Sequence, residues 1–342
     1  MADEIEFPGA ATGRSALSRR ILNHLHANPT IIPLFVLVIG LIIFSFVVGE
    51  RFFHPFNLSL VLQQVTIIGT VALAQTLIIL TAGIDLSVGA IMILSSVAMG
   101  KLAVTLGYPP EIALLLGIGV GGLCGWFNGI FVTYIRLPPF IVTLGTWSVF
   151  SAMVQYFSNG ETIAQRDIEA GAEFLQWSGE AMKFGAARVT TGSIMMLMLA
   201  GFLWYMLNRT AFGRHIYAVG GDQEAARLSG INTKRVLMSV YLIAGLICGF
   251  AGWLMIGRIG AVSPLGGEMT NLDSITAVVI GGTSLFGGRG SIIGTLIGAL
   301  IVGFFRNGLA LAGLDVLWQE FTVGLLIITA VSFDQWLRRI SN

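Results

Sequence analysis

Apolar residues fall in long runs along this chain rather than in strict alternation. The first, residues 30–49 (TIIPLFVLVIGLIIFSFVVG), is 20 residues without a charged side chain. As a helix that length is about 30 Å, the thickness of a bilayer's hydrocarbon core. Further runs at roughly 58–81, 88–106, 112–135, 140–157, 190–208, 237–257, 272–286, 291–306 and 315–334 bring the number of predicted spans to ten. The segments 272–286 and 291–306 are short and glycine-rich. Two longer polar segments, 158–188 and 209–236, interrupt the series. The pattern predicts an all-α polytopic membrane protein, with a transmembrane domain over 30–336 between tails at 1–29 and 337–342.

Composition agrees with a lipid-facing chain. It is 55% hydrophobic and 11% charged, with a mean hydropathy of +0.84, where soluble domains carry about 25% charged residues. A net charge of +1 gives no electrostatic reason for a nucleic-acid partner. Cys124 and Cys248 lie inside apolar runs and read as small core residues, not as a disulfide or metal pair. Residues 1–29 hold acids, Pro8 and an arginine cluster but no apolar core, so they read as a cytosolic tail rather than a signal peptide.

The basic residues set an orientation. With the N-terminus inside, the densest clusters, at 14–20, 209–235 and 338–339, all fall on the inner side. Both tails are then cytoplasmic, as an even number of spans requires, and the acid-bearing segment 158–188 falls outside. A shift of 179 residues superposes Asn128-Gly129 on Asn307-Gly308, Thr143 on Thr322 and Gly145 on Gly324. If this echo is a duplication, each half holds five spans. The odd number inverts the second half, an arrangement common in transporters.

Enzyme chemistry finds no foothold. The chain has no G-x-x-x-x-G-K-[ST] and no H-E-x-x-H, and its four histidines are scattered. No catalytic residue, cofactor site or metal site is expected. The stretch Gly281–Gly290 (GGTSLFGGRG) lacks the phosphate-binding lysine and reads as close helix packing with a tight turn. Gly83–Gly89 (GIDLSVG) breaks two apolar runs and carries Asp85. A carboxylate in lipid costs about 2.5–3.5 kcal/mol on insertion scales, so Asp85 must face protein or water. It reads either as part of a transport pathway or gate, or as a helix cap in which Asp85 or Ser87 satisfies the free N–H groups of the span from 88. Other polar residues at span depth include Gln75, Asn128, Thr143, Asp273, Asn307 and Glu320. They can bind a sugar or simply hydrogen-bond between helices.

The segment 209–236 is the longest polar interruption in the C-terminal half. A short helix, Gln223–Leu228, sits between glycine hinges at Gly220-Gly221 and Gly230, with Arg209, Arg214, Arg227, Lys234 and Arg235 in or beside it. Its Glu224-Ala225-Ala226 with Gly230 resembles the EAA motif of ATP-binding cassette (ABC) importer permeases of bacteria. The stretch Leu80–Gly89 (LTAGIDLSVG) is similar to the monosaccharide branch of that family, the ribose, xylose and fructose-type permeases. So are Ala218–Asp222 (AVGGD) and Val278–Gly288 (VVIGGTSLFGG). The resemblance runs from about residue 30 to the end.

The resemblance implies an inner-membrane pore that moves a pentose or hexose by ATP-driven alternating access, with the outer segment 158–188 in the periplasm. Its partners would be a separate ATPase, a periplasmic sugar-binding protein and a second permease copy. Glu224, Ala225, Ala226 and Gly230 would dock the ATPase. Asp85, Ser87, Asn128 and Asn307 are the candidates for the pathway or gate. Two other readings stand beside this one. Glu224 can be only a helix-starting acid favoured by the macrodipole. The whole chain can be an ion-gradient-driven transporter with Asp85 or Asp273 as its coupling acid.

Overall fold

The computed structural model describes residues 31–341 apart from 266 and 268, so the predicted tail 1–29 lies outside the described residues. Twelve α-helices of six residues or more organise the described residues: α1 (Ile31–Val47), α2 (Pro55–Leu80), α3 (Val88–Gly100), α4 (Pro110–Thr133), α5 (Pro139–Ser158), α6 (Thr191–Arg209), α7 (Ala211–Gly221), α8 (Gln223–Leu228), α9 (Thr233–Ile259), α10 (Thr270–Ile280), α11 (Ile292–Leu311) and α12 (Val316–Ser341). A π-helical turn, Lys101–Thr105, prolongs α3. Among the described residues seven helices are long and apolar enough to cross a membrane: α2, α3 with its π turn, α4, α5, α6, α9 and α11. The chain is an integral membrane protein. Three spans open on a proline at their first position, Pro55, Pro110 and Pro139, where the missing N–H removes only a bond the helix would not make.

The α9 helix runs through the core, and α4 packs against it backbone to backbone. A Cβ at Gly125 would lie 2.2 Å from the Tyr241 carbonyl oxygen, and one at Gly121 would lie 2.4 Å from that of Gly245. Glycine is what lets two spans approach this closely. Cys124 and Cys248 are buried free thiols, as the sequence suggested.

Two expectations change. The predicted span 272–286 is the 11-residue α10, about 16 Å long, roughly half a bilayer. The chain turns after Ile280 because Gly282 takes φ +85° and Gly281 abuts the Gly294 carbonyl, 2.4 Å from where a Cβ would sit. The segment 158–188 qualifies the all-α expectation. It holds two short helical stretches, Gln165–Glu169 and Glu173–Gly179, and leads into an antiparallel hairpin of β1 (Ala181–Phe184) and β2 (Ala187–Thr190), with Ala181 opposite Thr190. Trp177 stacks on Phe174 and on Trp253 of α9, which ties this segment to the core helix. The α12 helix runs through Ser341, over most of the segment 337–342.

Candidate functional site

Between α2 and α3 the chain folds back among the helices. Ala82 adopts a left-handed φ of +60° to make the turn. Gln75 lies five residues before the end of α2, about 7 Å up the helix. With its amide oriented to satisfy both groups, it donates to the Asp85 carbonyl and accepts from the Asp85 N–H, each at 3.2 Å. Thr143 of α5 donates to the Ile84 carbonyl at 3.1 Å. The Ile84 carbonyl and both backbone groups of Asp85 thus find partners inside the protein, as membrane depth demands.

Asp85 is 2% exposed. Its Oδ1 accepts from the Ser87 N–H at 2.7 Å and the Ser87 hydroxyl at 2.6 Å. Asn128 Nδ2 donates to Ser87 Oγ at 2.8 Å and approaches Asp85 Oδ2 at 3.4 Å. Asp85 makes no salt bridge among the described residues, so hydrogen bonds alone offset the cost of burying it. The side chain of Ser87 does not cap α3. The cap oxygen is Asn271 Oδ1 of α10, which accepts from the Gly89 N–H at 2.6 Å. Asn128 Oδ1 and the Tyr241 hydroxyl are buried beside this network without a partner among the described residues.

Of the four residues expected in the pathway, Asp85, Ser87 and Asn128 converge and Asn307 does not. Asn307 exchanges two 2.9 Å amide bonds with Asn57. Asn57 lies 18 residues before Gln75 on α2, hence about 27 Å away along the helix. That pairing fastens α11 to α2 and separates Asn307 from the Asp85 network. Asp273 is bonded as well: Arg306 of α11 donates to its Oδ1 through Nε at 3.2 Å and Nη2 at 2.7 Å. Asn271 and Arg306 were missed as partners. For Arg306 there was a signal, since an acid within a span needs a cation and Arg306 is the one in the neighbouring run.

The segment 209–236 is a chain of capped turns. Thr210 Oγ1 accepts from the Gly213 N–H at 3.2 Å to start α7, a helix the sequence reading did not foresee. Asp222 Oδ1 accepts from the N–H groups of Glu224 and Ala225, both at 2.9 Å, to start α8. Asn232 does the same for α9 through the Arg235 N–H at 3.1 Å. These are residue types favoured at helix starts. On α8, Glu224 pairs with Arg227 across one turn. That hydrogen bond first, and the carboxylate's charge second, hold the guanidinium above its usual pKa. Ala226 is buried, while Glu224, Ala225 and Gly230 are exposed. Gly230 has φ +86° and open space where a Cβ would sit, so backbone conformation is what calls for glycine there. A cavity of about 1010 Å³ separates α8 from the Asp85 loop, bounded by Thr81, Gly83, Arg136, Glu224, Lys234 and Tyr241 among others.

Comparison with known proteins places this arrangement. Residues 57–331 match the family profile described as branched-chain amino acid transport system / permease component. The chain is 54% identical to a fructose import permease protein of Rhizobium meliloti, over 95% of this chain and 90% of the relative. It is 40% identical to a ribose import permease protein of Bacillus subtilis (strain 168), over 86% and 89%. It is 31% identical to a xylose transport system permease protein of Escherichia coli (strain K12), over 91% and 93%. With the profile spanning most of the chain and more than half of the aligned residues shared with one relative, the chain belongs to this family as a permease component of an ABC importer, a membrane subunit and not an enzyme.

Proposed function

We propose that the chain is the pore through which a monosaccharide enters the cell, with fructose or another hexose or pentose as cargo. The names of its relatives support the substrate class. The observation that carries the coupling role is the exposure of α8. In a chain whose central helices are buried, this helix presents Glu224, Ala225 and Leu228 to solvent, with Leu228 78% exposed. An apolar side chain that open, on a helix fixed by its own caps, fits a groove on a partner. The partner is the ATPase subunit, which closes on ATP and moves α8.

The finer organisation belongs to the same proposal. Ten spans cross a bacterial inner membrane, α10 counting as a broken one. Both tails and the coupling segment 209–236 are cytoplasmic, and 158–188 faces the periplasm and its sugar-binding protein. The permease domain is 30–336 and needs no cofactor of its own. A second copy of the chain covers α5, only 28% buried against 78% for α2. The exposed Gly145, Ser148 and Gln155 of α5 are small or polar where a lipid-facing helix is usually apolar.

The test is reconstitution with the ATPase and binding protein. Glu224→Ala and Gly230→Val are expected to leave the chain in the membrane, with ATP hydrolysis no longer driving uptake. Wild-type uptake by both variants rejects α8 as the coupling helix. Uptake that persists without ATP rejects the importer in favour of a gradient-driven carrier.

A further inference from the structure

The base of the Asp85 loop and the base of α8 meet at one point. The α7 helix ends just before Asp222 caps α8. Within it Gly220 is buried so tightly that a Cβ would lie 1.7 Å from the Leu80 carbonyl oxygen and 2.7 Å from the Gly288 nitrogen. Both obstacles are backbone and cannot swing aside. Leu80, the last residue of α2, accepts the Gly288 N–H at 3.0 Å. Gly287, at φ +82°, would place a Cβ 2.6 Å from the Gly220 oxygen and 2.8 Å from the Ala82 nitrogen. One turn before Gly220, the Tyr217 hydroxyl donates to the Gly290 carbonyl at 2.9 Å. The segments 80–82, 217–220 and 287–290 therefore touch largely through main chain.

The contacts close a ring. From Leu80 the chain leads to Asp85, Ser87 and Gly89. Gly89 is bonded to Asn271 at the start of α10. The far end of α10 turns at Gly281–Gly282 into the loop that carries Gly288 back to Leu80. A side chain between two elements can absorb a small displacement by changing rotamer. Main chain packed on main chain and held by hydrogen bonds moves together or separates.

We infer that Gly220, Gly287, Gly288 and Tyr217 form a mechanical junction that passes displacement of α8 directly to the Asp85 loop and to α10. Work from the ATPase then reaches the buried carboxylate network without first tilting α6 and α9. The inference rests on the reading of α8 as the ATPase-docking helix. The structure supplies its own control: at Gly221, one residue on, a Cβ would meet nothing within 4 Å.

The experiment uses the assembled importer in proteoliposomes, with radiolabelled fructose and radiolabelled ribose as probes. It reads co-purified ATPase and sugar moved per ATP hydrolysed. Gly220→Ala is expected to keep the ATPase bound and hydrolysing while sugar per ATP falls about tenfold or more, and Gly221→Ala to match wild type. Tyr217→Phe, which removes one hydrogen bond and adds no bulk, is expected to lower the ratio about two- to tenfold. An assembled Gly220→Ala importer with the wild-type ratio overturns the junction. So does a Gly221→Ala importer as impaired as Gly220→Ala. So does loss of ATPase binding in Gly220→Ala, which would make the site part of the dock. If Gly220→Ala does not assemble, Tyr217→Phe decides, and an unchanged ratio overturns the junction. A Glu224→Ala importer that docks and couples normally removes the docking reading itself, a separate failure.

Discussion

Asp222 caps α8 from the adjoining residue, while Asn271 caps α3 from 182 residues away. That contrast runs through the two regions. The polar contacts that shape α8 lie close by in sequence: the Asp222 cap, the Glu224–Arg227 pair and the left-handed Gly230, with Ala226 alone of its residues buried against the core. The Asp85 loop has its own Asp85–Ser87 bonds, but its other supports come from four helices: Gln75 of α2, Asn128 of α4, Thr143 of α5 and Asn271 of α10. A locally specified helix can sit exposed and await a partner. A loop specified by four helices reports on how those helices are arranged. The first suits docking and the second suits a gate. The two should therefore fail differently, the loop and its supports through stability and α8 through coupling.

The largest effect is expected at the clasp that anchors α10. Arg306→Met leaves Asp273, 8% exposed at its side chain, without its cation. Removing one partner of a buried pair costs about 3–5 kcal/mol, seen as a lowered unfolding midpoint in detergent. The double variant Asp273→Asn with Arg306→Met should recover most of it. Equal loss in single and double variants would mean that the clasp does not hold the half-helix.

Next comes Asp85→Ala. It strands the Ser87 N–H and removes a partner of the Ser87 hydroxyl, at about 1–3 kcal/mol for a buried donor left unmade. A double-mutant cycle with Asn128→Ala should show coupling of about 0.5 kcal/mol or more, since the two side chains share Ser87. Strict additivity would dissolve the network into independent caps. Asn271→Ala removes a single cap bond and should cost about 1 kcal/mol. If instead it leaves stability unchanged while Asp85→Ala does not, α3 is held by the loop alone.

The same division explains what could be read from sequence. Hydropathy is a local sum, so the seven long spans stood out. The α8 helix did too, because glycines and a polar run bracket it within a dozen residues. The shortness of α10 was hidden because residues 281–286 (GGTSLF) carry no charge to mark the end of the run. What ends the helix is the left-handed Gly282 together with the approach of Gly281 to Gly294, a tertiary contact. Asn128-Gly129 and Asn307-Gly308 look alike in sequence, and both asparagines are buried. One finds the Ser87 hydroxyl and the other finds Asn57, and no local pattern distinguishes the two. Asn271 was invisible as a cap for α3 because hydrogen bonding across 182 residues leaves no periodicity.

The smallest effect on stability is expected at Glu224, and there the comparison is sharpest. Its ion pair with Arg227 is exposed on both sides, with side chains 64% and 63% accessible, and pairs of that kind add little to folding. The Asp222 cap and the Gly230 turn remain in Glu224→Ala, so α8 still forms. The unfolding midpoint should move by less than about 1 °C, the range of a neutral surface change. Sugar moved per ATP should nevertheless fall if, as proposed, the carboxylate sits on the face that meets the ATPase. Measured side by side in one preparation, Asp85→Ala should lower stability and uptake together, while Glu224→Ala lowers uptake alone. A Glu224→Ala chain that loses stability as Asp85→Ala does would show that α8 is anchored by the rest of the fold, and the division between a self-sufficient dock and a dependent gate would fall.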